Sequence, residues 1–297
     1  MKLIGPFTQI LTMRNLPMKG TIKDEQLELI ENGGIIVENG FIRQVGNYKQ
    51  LREQNPAIEL EEINTEQVVL PGFVDSHTHI CYGGNRAKDF AMRLNGKTYL
   101  EIAESGGGIW STVTQTRSKS PDELKDITLH HIDKLIAQGI TTAEVKSGYA
   151  LSVEGEKNML QAIGMAKQET PIEVVTTFLG AHMKPKDFEG SNRDYLEHLV
   201  QEIFPVLRKE YQCNRVDIFV EQSAFSIEEG DYYMNEAKKQ GFELTIHADQ
   251  FTAGASQLAV KYQALSADHL EFSGKDEIMA LSQSCLLYTS DAADDSL

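Results

Sequence analysis

A chain of 297 residues, 41% of them hydrophobic, has room for one large α/β domain, a smaller companion and a substantial core. Its 28 basic and 44 acidic residues leave a net charge of −16, which disfavours nucleic acid or an anionic membrane as a partner but leaves room for a small anionic substrate. Three cysteines without paired spacing (Cys81, Cys213, Cys285), no apolar run of bilayer length and no secretory leader disfavour disulfide scaffolds, cysteine-based zinc sites and membrane spans. A cytoplasmic protein is expected.

Residues 1–66 read as a small β domain. Ile35–Val45 holds two β-rich runs joined by Asn39-Gly40, the strongest short hairpin signal. From residue 67 the pattern changes to alternating strands and helices. Val68-Val-Leu-Pro-Gly-Phe-Val-Asp-Ser-His77-Thr-His79 reads as a buried strand. Residues two apart on a strand share a face, so His77 and His79 can present two imidazoles to one metal ion. Arg86 follows in Gly83-Gly-Asn-Arg86, where the glycines permit a tight turn or close approach to a ligand. Gly106-Gly-Gly108 suggests a flexible loop over the site, with Ser111 as a helix cap. No Gly-Lys-Ser/Thr follows it, so a phosphate loop is disfavoured.

Ser120-Pro-Asp-Glu123 is a capping box that opens a helix ended by Gly139, and Ser226-Ile-Glu-Glu229 repeats the device with Gly241 as terminator. Pro205 predicts a kink in a helix around Leu196–Leu207. Further strands are expected at Thr141–Lys146, Ile172–Gly180, Val216–Glu221, Glu243–Ala248 and Ala264–His269. Such alternation predicts α/β architecture, a (β/α)8 TIM-type barrel with about six of its eight strands present. Residues 67–284 would form this truncated barrel. From about Cys285 the chain shows no strand, cap or helix pattern and is similar to translated adapter tails. Residues 285–297 are read as non-native.

Of eight histidines, His130, His131 and His198 fall in helix patterns and suit packing. The other five, His77, His79, His182, His247 and His269, end predicted strands, and in a parallel barrel those ends form the active-site rim. His247 would be the third ligand of an open metal site that also holds water, which the metal would acidify. His269 would orient that water or stabilise an oxyanion; alternatively it hydrogen-bonds a ligand. Gln250 cannot titrate but can bond a polar ring edge. Arg86 suits a substrate carboxylate; the alternative is a solvated surface arginine. Tyr149 and His182 lie just past strands and could reach the same pocket, with Tyr99 a weaker candidate. No Gly-x-Ser-x-Gly elbow occurs, which disfavours serine catalysis.

These segments resemble the amidohydrolase superfamily. Thr142-Ala-Glu-Val-Lys-Ser-Gly-Tyr149, Gly106-Gly-Gly-Ile, Phe178-Leu-Gly-Ala-His182, Ile246-His-Ala-Asp-Gln250 and Ser266-Ala-Asp-His269 narrow the resemblance to the imidazolonepropionase family of histidine degradation, over nearly all of residues 1–284. The resemblance implies one zinc or iron ion on His77, His79 and His247, and contacts from Arg86, Tyr149, His182 and Gln250 to imidazolonepropionate. It implies metal-dependent opening of that ring to N-formimidoyl-L-glutamate, and a homodimer. It also implies a further aspartate ligand from an eighth strand and a completed small β domain, neither found in this chain. The rival is an aminohydrolase of a nucleobase-like heterocycle. Such enzymes usually carry a glutamate where Gln250 stands, to protonate departing ammonia, so Gln250 favours ring opening. A third expectation, that the chain by itself is an inactive, poorly soluble fragment, follows from the strand edges an open barrel exposes.

Overall fold

The computed structural model describes residues 1–17, 20–97, 101, 105–284 and 287–289. The chain divides into two compact units, Met1–Gly72 and Phe73–Leu297.

The first unit is a five-stranded sheet built around β1 (Lys2–Leu11). β2 (Leu29–Glu38) pairs antiparallel with β1, and β3 (Phe41–Asn47) antiparallel with β2. The β2–β3 hairpin turns on Asn39 and Gly40, with φ of 52° and 79°, the positive values a type I′ turn requires. After α1 (Tyr48–Gln54), β4 (Glu59–Glu62) and β5 (Val68–Val69) both run parallel to β1. Leu3, Ile36, Tyr48 and Leu51 form a small core.

The second unit begins with β6 (Phe73–Asp75), α2 (Ala87–Leu94), α3 (Ile109–Arg117) and α4 (Pro121–Ala137). It continues through β7 (Ile140–Lys146), α5 (Val153–Glu169), β8 (Glu173–Ala181), α6 (Asn192–Glu202), α7 (Phe204–Tyr211) and β9 (Arg215–Val220). Then come α8 (Ile227–Lys239), β10 (Glu243–Ala248), α9 (Ser256–Tyr262), β11 (Ser266–His269), α10 (Lys275–Gln283) and β12 (Leu287–Thr289). The strands lie in sequence order from β6 to β12, each parallel to its neighbours, and helices make the connections from β7 to β12. That is the winding of a (β/α) barrel, an open run of strands among the described residues, and it brings every strand's C-terminal end to one rim. Leu160, Phe178, Leu199, Phe204 and Ile218 are buried in the larger core. Each such side chain contributes about 1.5–3 kcal/mol by leaving water. Among the described residues, no helix is long and apolar enough to cross a membrane.

Both capping boxes form: Ser120 Oγ accepts from Glu123 N at 3.2 Å, and Ser226 Oγ from Glu229 N at 3.2 Å. Four local expectations change. Val68–His79 is not one buried strand. Pro71 has no N–H for a ladder, the segment splits into β5 and β6, and Phe73 and Val74 on edge strand β6 are exposed. Ser111 does not cap a helix, because α3 already starts at Ile109 with Gly108 as its N-cap. Pro205 breaks the predicted helix instead of kinking it: α6 ends at Glu202, and Pro205 sits in the first turn of α7, where its missing N–H costs no bond. A seventh parallel strand, β12, forms beside β11 where no strand pattern is visible.

Candidate metal centre

His77 and His79 lie in the extended segment just past β6, His182 directly follows β8, His247 is the penultimate residue of β10, and His269 ends β11. The barrel rim gathers all five. The ring centroids of His77, His79 and His247 are 4.6–5.2 Å apart. His269 lies on one side, 5.3 Å from His77 and 5.1 Å from His247, and His182 on the other, stacked at 5.4 Å on His79. The finest measure is the nitrogen spacing. Nε2 of His79 is 3.2 Å from Nε2 of His77 and 3.1 Å from Nε2 of His247. A tetrahedral ion with nitrogens at about 2.0–2.1 Å sets them about 3.3–3.4 Å apart, so the three imidazoles fit one ion.

Their protonation fits as well. Nδ1 of His77 lies 2.8 Å from Asp268 Oδ2, and Nδ1 of His247 lies 3.1 Å from Asp217 Oδ1. A carboxylate holding the proton on Nδ1 leaves Nε2 its lone pair, which is what a metal ligand needs. Burial, with His77 and the Lys146 ammonium nearby, pushes the His247 pKa well below its usual value and keeps the ring neutral.

Beneath the histidines lies a charged layer. Lys146 is wholly buried, its Nζ 2.7 Å from Glu144 Oε2, 2.7 Å from Asp217 Oδ2 and 3.3 Å from Asp268 Oδ2. Burial alone would lower the lysine's pKa, but Asp217, Glu144 and Asp268 outweigh it and hold the ammonium charged. Burial would likewise raise Asp268, but Lys146 and His77 hold it well below the carboxylate range. Sequence reasoning singled out none of these four residues. Their signal is a set of ionisable side chains inside strands whose neighbours are apolar, Glu144 and Lys146 at i, i+2 in β7 and Asp217 within Arg-Val-Asp-Ile-Phe-Val of β9.

Tyr149 is buried, its ring 5.7 Å from His79 and 5.3 Å from His182. Its loop is held by Glu156 of α5, whose carboxylate accepts from the backbone N–H of Gly148, Ala150 and Leu151 at 2.8–2.9 Å. His182 Nδ1–H donates to the Gly148 carbonyl at 3.0 Å, tying that ring to the same loop. Gly148 has φ of 107°, and a Cβ there would meet the Leu179 carbonyl oxygen at 2.7 Å, so this position needs glycine. Gln250 is half-buried in the loop after β10. Glu221, just past β9, accepts from Phe251 N at 2.9 Å and Thr252 N at 3.0 Å and so fixes that loop.

Arg86 caps α2, and its Nε donates to Thr112 Oγ1 of α3 at 3.0 Å. Its buried Nη2 has no hydrogen-bond partner among the described residues. The glycines before it make their close approach to protein: a Cβ at Gly83 would lie 2.7 Å from the Gln115 carbonyl oxygen. Tyr99 lies outside the described residues. His131 packs in the second layer, its Nδ1–H donating to the Ile80 carbonyl at 2.8 Å.

Residues 68–296 match the amidohydrolase family. The chain is 40% identical to an imidazolonepropionase of Bdellovibrio bacteriovorus, over 95% of this chain and 67% of that relative. It is 42% identical to one of Vibrio parahaemolyticus, over 73% and 53%. The chain thus spans about half to two thirds of the curated relatives' length. In fold it is similar to zinc-bound atrazine chlorohydrolase of Arthrobacter aurescens (TM-score 0.66, 15% identity, 99% of this chain and 66% of that one). It is also similar to guanine deaminase of E. coli (TM-score 0.60, 16% identity, 98% and 67%). The family and the three converging imidazoles together make a metal ion the cofactor. With the barrel winding and the extent of these matches, the chain belongs to the amidohydrolase family and, within it, to the imidazolonepropionases.

Proposed function

We propose that this barrel hydrolyses the cyclic amide of 4-imidazolone-5-propanoate to N-formimidoyl-L-glutamate, in the breakdown of histidine to glutamate. The observation that carries the proposal is the meeting of the His77, His79 and His247 Nε2 atoms within hydrogen-bond distance at the rim of a chain 40% identical to an imidazolonepropionase. Zinc or iron suits an all-imidazole donor set. When bound, such an ion polarises a carbonyl and acidifies water.

The chain's own residues do the rest. Arg86, anchored through Nε by Thr112, offers its Nη2 to the propionate carboxylate. Tyr149, His182 and Gln250 hold the polar edge of the ring. His269 stands beside both His77 and His247, where a hydrogen bond to the attacking water or to the developing oxyanion is within reach. Water adds to the ring carbonyl, the ring C–N bond breaks, and the proton lost by water ends on the leaving nitrogen. His269 and Leu270 have φ of 77° and 72°, left-handed values that strain non-glycine residues and cluster at functional sites. The working place we propose is the cytoplasm.

The test is an assay of the metal-loaded protein with imidazolonepropionate. Loss of imidazolone absorbance with N-formimidoyl-L-glutamate detected by mass spectrometry supports ring opening. Release of ammonia from a heterocycle, without ring opening, would replace it with deamination.

A further inference from the structure

We propose that Lys146 is a built-in cation that takes the place of a second metal ion and so restricts the centre to one. The inference rests on the metal-centre reading above and not on the identity of the substrate. The rim triad is not the only donor set in this barrel that could hold a metal. His77, Glu144 and Asp268 bring their ligand atoms within 4.8 Å of one another, and so do Asp217, His247 and Asp268. Both sets are buried, and both share residues with the rim triad, as the two halves of a two-metal centre would. The space they bound is filled by the Lys146 ammonium, at 2.7, 2.7 and 3.3 Å from Glu144, Asp217 and Asp268.

The chemistry of the match is specific. An ammonium has three N–H donors, and here it donates to Asp217 and Asp268 and forms an ion pair with Glu144. It is a compact point charge, as a metal ion is. Three carboxylates against one ammonium leave a charge of −2, relieved on one side by Arg215, whose Nη1 lies 3.6 Å from Glu144 Oε1. That surplus favours one divalent cation at the rim. Without Lys146 it would be −3, enough to draw in a second. The lysine also has a positional effect. Asp217 gives one oxygen to His247 and the other to Lys146, while Oδ2 of Asp268 serves both His77 and Lys146. Held this way, the carboxylates orient the histidines and stay off the metal.

The test is metal stoichiometry. Wild-type protein and the variants Lys146→Ala, Lys146→Gln and Lys146→Arg are dialysed against millimolar Mn(II), bound metal is counted, and spin coupling is read by electron paramagnetic resonance. Wild type and Lys146→Arg are expected to hold one equivalent with an uncoupled signal. Lys146→Ala and Lys146→Gln are expected to hold two, with the coupled spectrum of adjacent ions. A folded Ala or Gln variant that stays at one equivalent overturns the proposal. So does a second, coupled equivalent in the wild type, an outcome readable even if no neutral variant folds. A wild type that binds no Mn(II), Co(II) or Zn(II) strikes instead at the metal-centre reading.

Discussion

Asp217 and His247 come from adjacent parallel strands, and Oδ1 of the first lies 3.1 Å from Nδ1 of the second. This contact selects the ring tautomer and points Nε2 at the other two histidines. Asp217→Asn can still accept from Nδ1–H, but its amide N–H would then face the Lys146 ammonium, donor against donor. Metal affinity is expected to fall by about 10–100-fold, the usual cost of losing a partner behind a ligand histidine. Competition with a chromogenic chelator measures it. An unchanged dissociation constant would show that Asp217 does not tune the ligand.

The same layer sets a pH dependence for the metal-free protein. His247 has a folded pKa well below its usual value, from burial first and from His77 and Lys146 next. Between that depressed value and about 6.5 the unfolded chain binds a proton that the native chain refuses. Its stabilising contribution is therefore whole above about pH 6.5 and drains away as pH falls. Asp268, also depressed in the fold, loses its contribution lower, from about pH 3.8 downward. Buried Glu156 works against this trend, since burial raises its carboxyl. Melting temperatures of the metal-free protein should thus fall between pH 7 and pH 5. Replacing His247 with Asn should flatten that slope, and an unchanged slope would place the acid sensitivity elsewhere.

The clustering of His77, His79, His182, His247 and His269 was legible because parallel strands deliver their C-terminal ends to one rim wherever the exact boundaries fall. The charged layer beneath was not. A Glu or Lys alternating with apolar residues in a strand normally marks a face turned to water, whereas parallel barrel strands are covered on both faces, so Glu144, Lys146 and Asp217 point inward. Glu156 hid for a similar reason, as one charged residue among many in a helical pattern. The Val68–His79 segment misled because its continuous apolar composition outweighed Pro71-Gly72, which divides it.

Glu156 makes the loop that carries Tyr149 depend on a residue far from any substrate. Oε1 accepts from Ala150 N and Leu151 N, and Oε2 from Gly148 N. Glu156→Gln keeps the shape but turns an amide N–H toward Gly148 N. One buried donor loses its acceptor, at a cost of about 1–3 kcal/mol. Chemical denaturation should register that loss. Because Gly148 also holds His182, the variant should bind substrate more weakly as well, and a variant with wild-type stability would show that the loop is held by its other contacts.

Arg86 offers the sharpest separation of binding from chemistry. Its task in the proposed reaction is to hold a carboxylate that does not change as the ring opens, so its contribution is equal in ground state and transition state. Arg86→Met keeps the aliphatic stem and removes the charge. A lost charge-assisted hydrogen bond is worth about 1.5–3 kcal/mol, or roughly 10–150-fold in affinity. KM for imidazolonepropionate should rise by that factor while kcat stays within a few-fold. Thr112→Val tests the anchor: Thr112 is buried and its hydroxyl accepts from Arg86 Nε at 3.0 Å, so its loss should raise KM less, with the charge still present. A KM unchanged in Arg86→Met would remove Arg86 from the carboxylate site, whatever the metal centre proves to do.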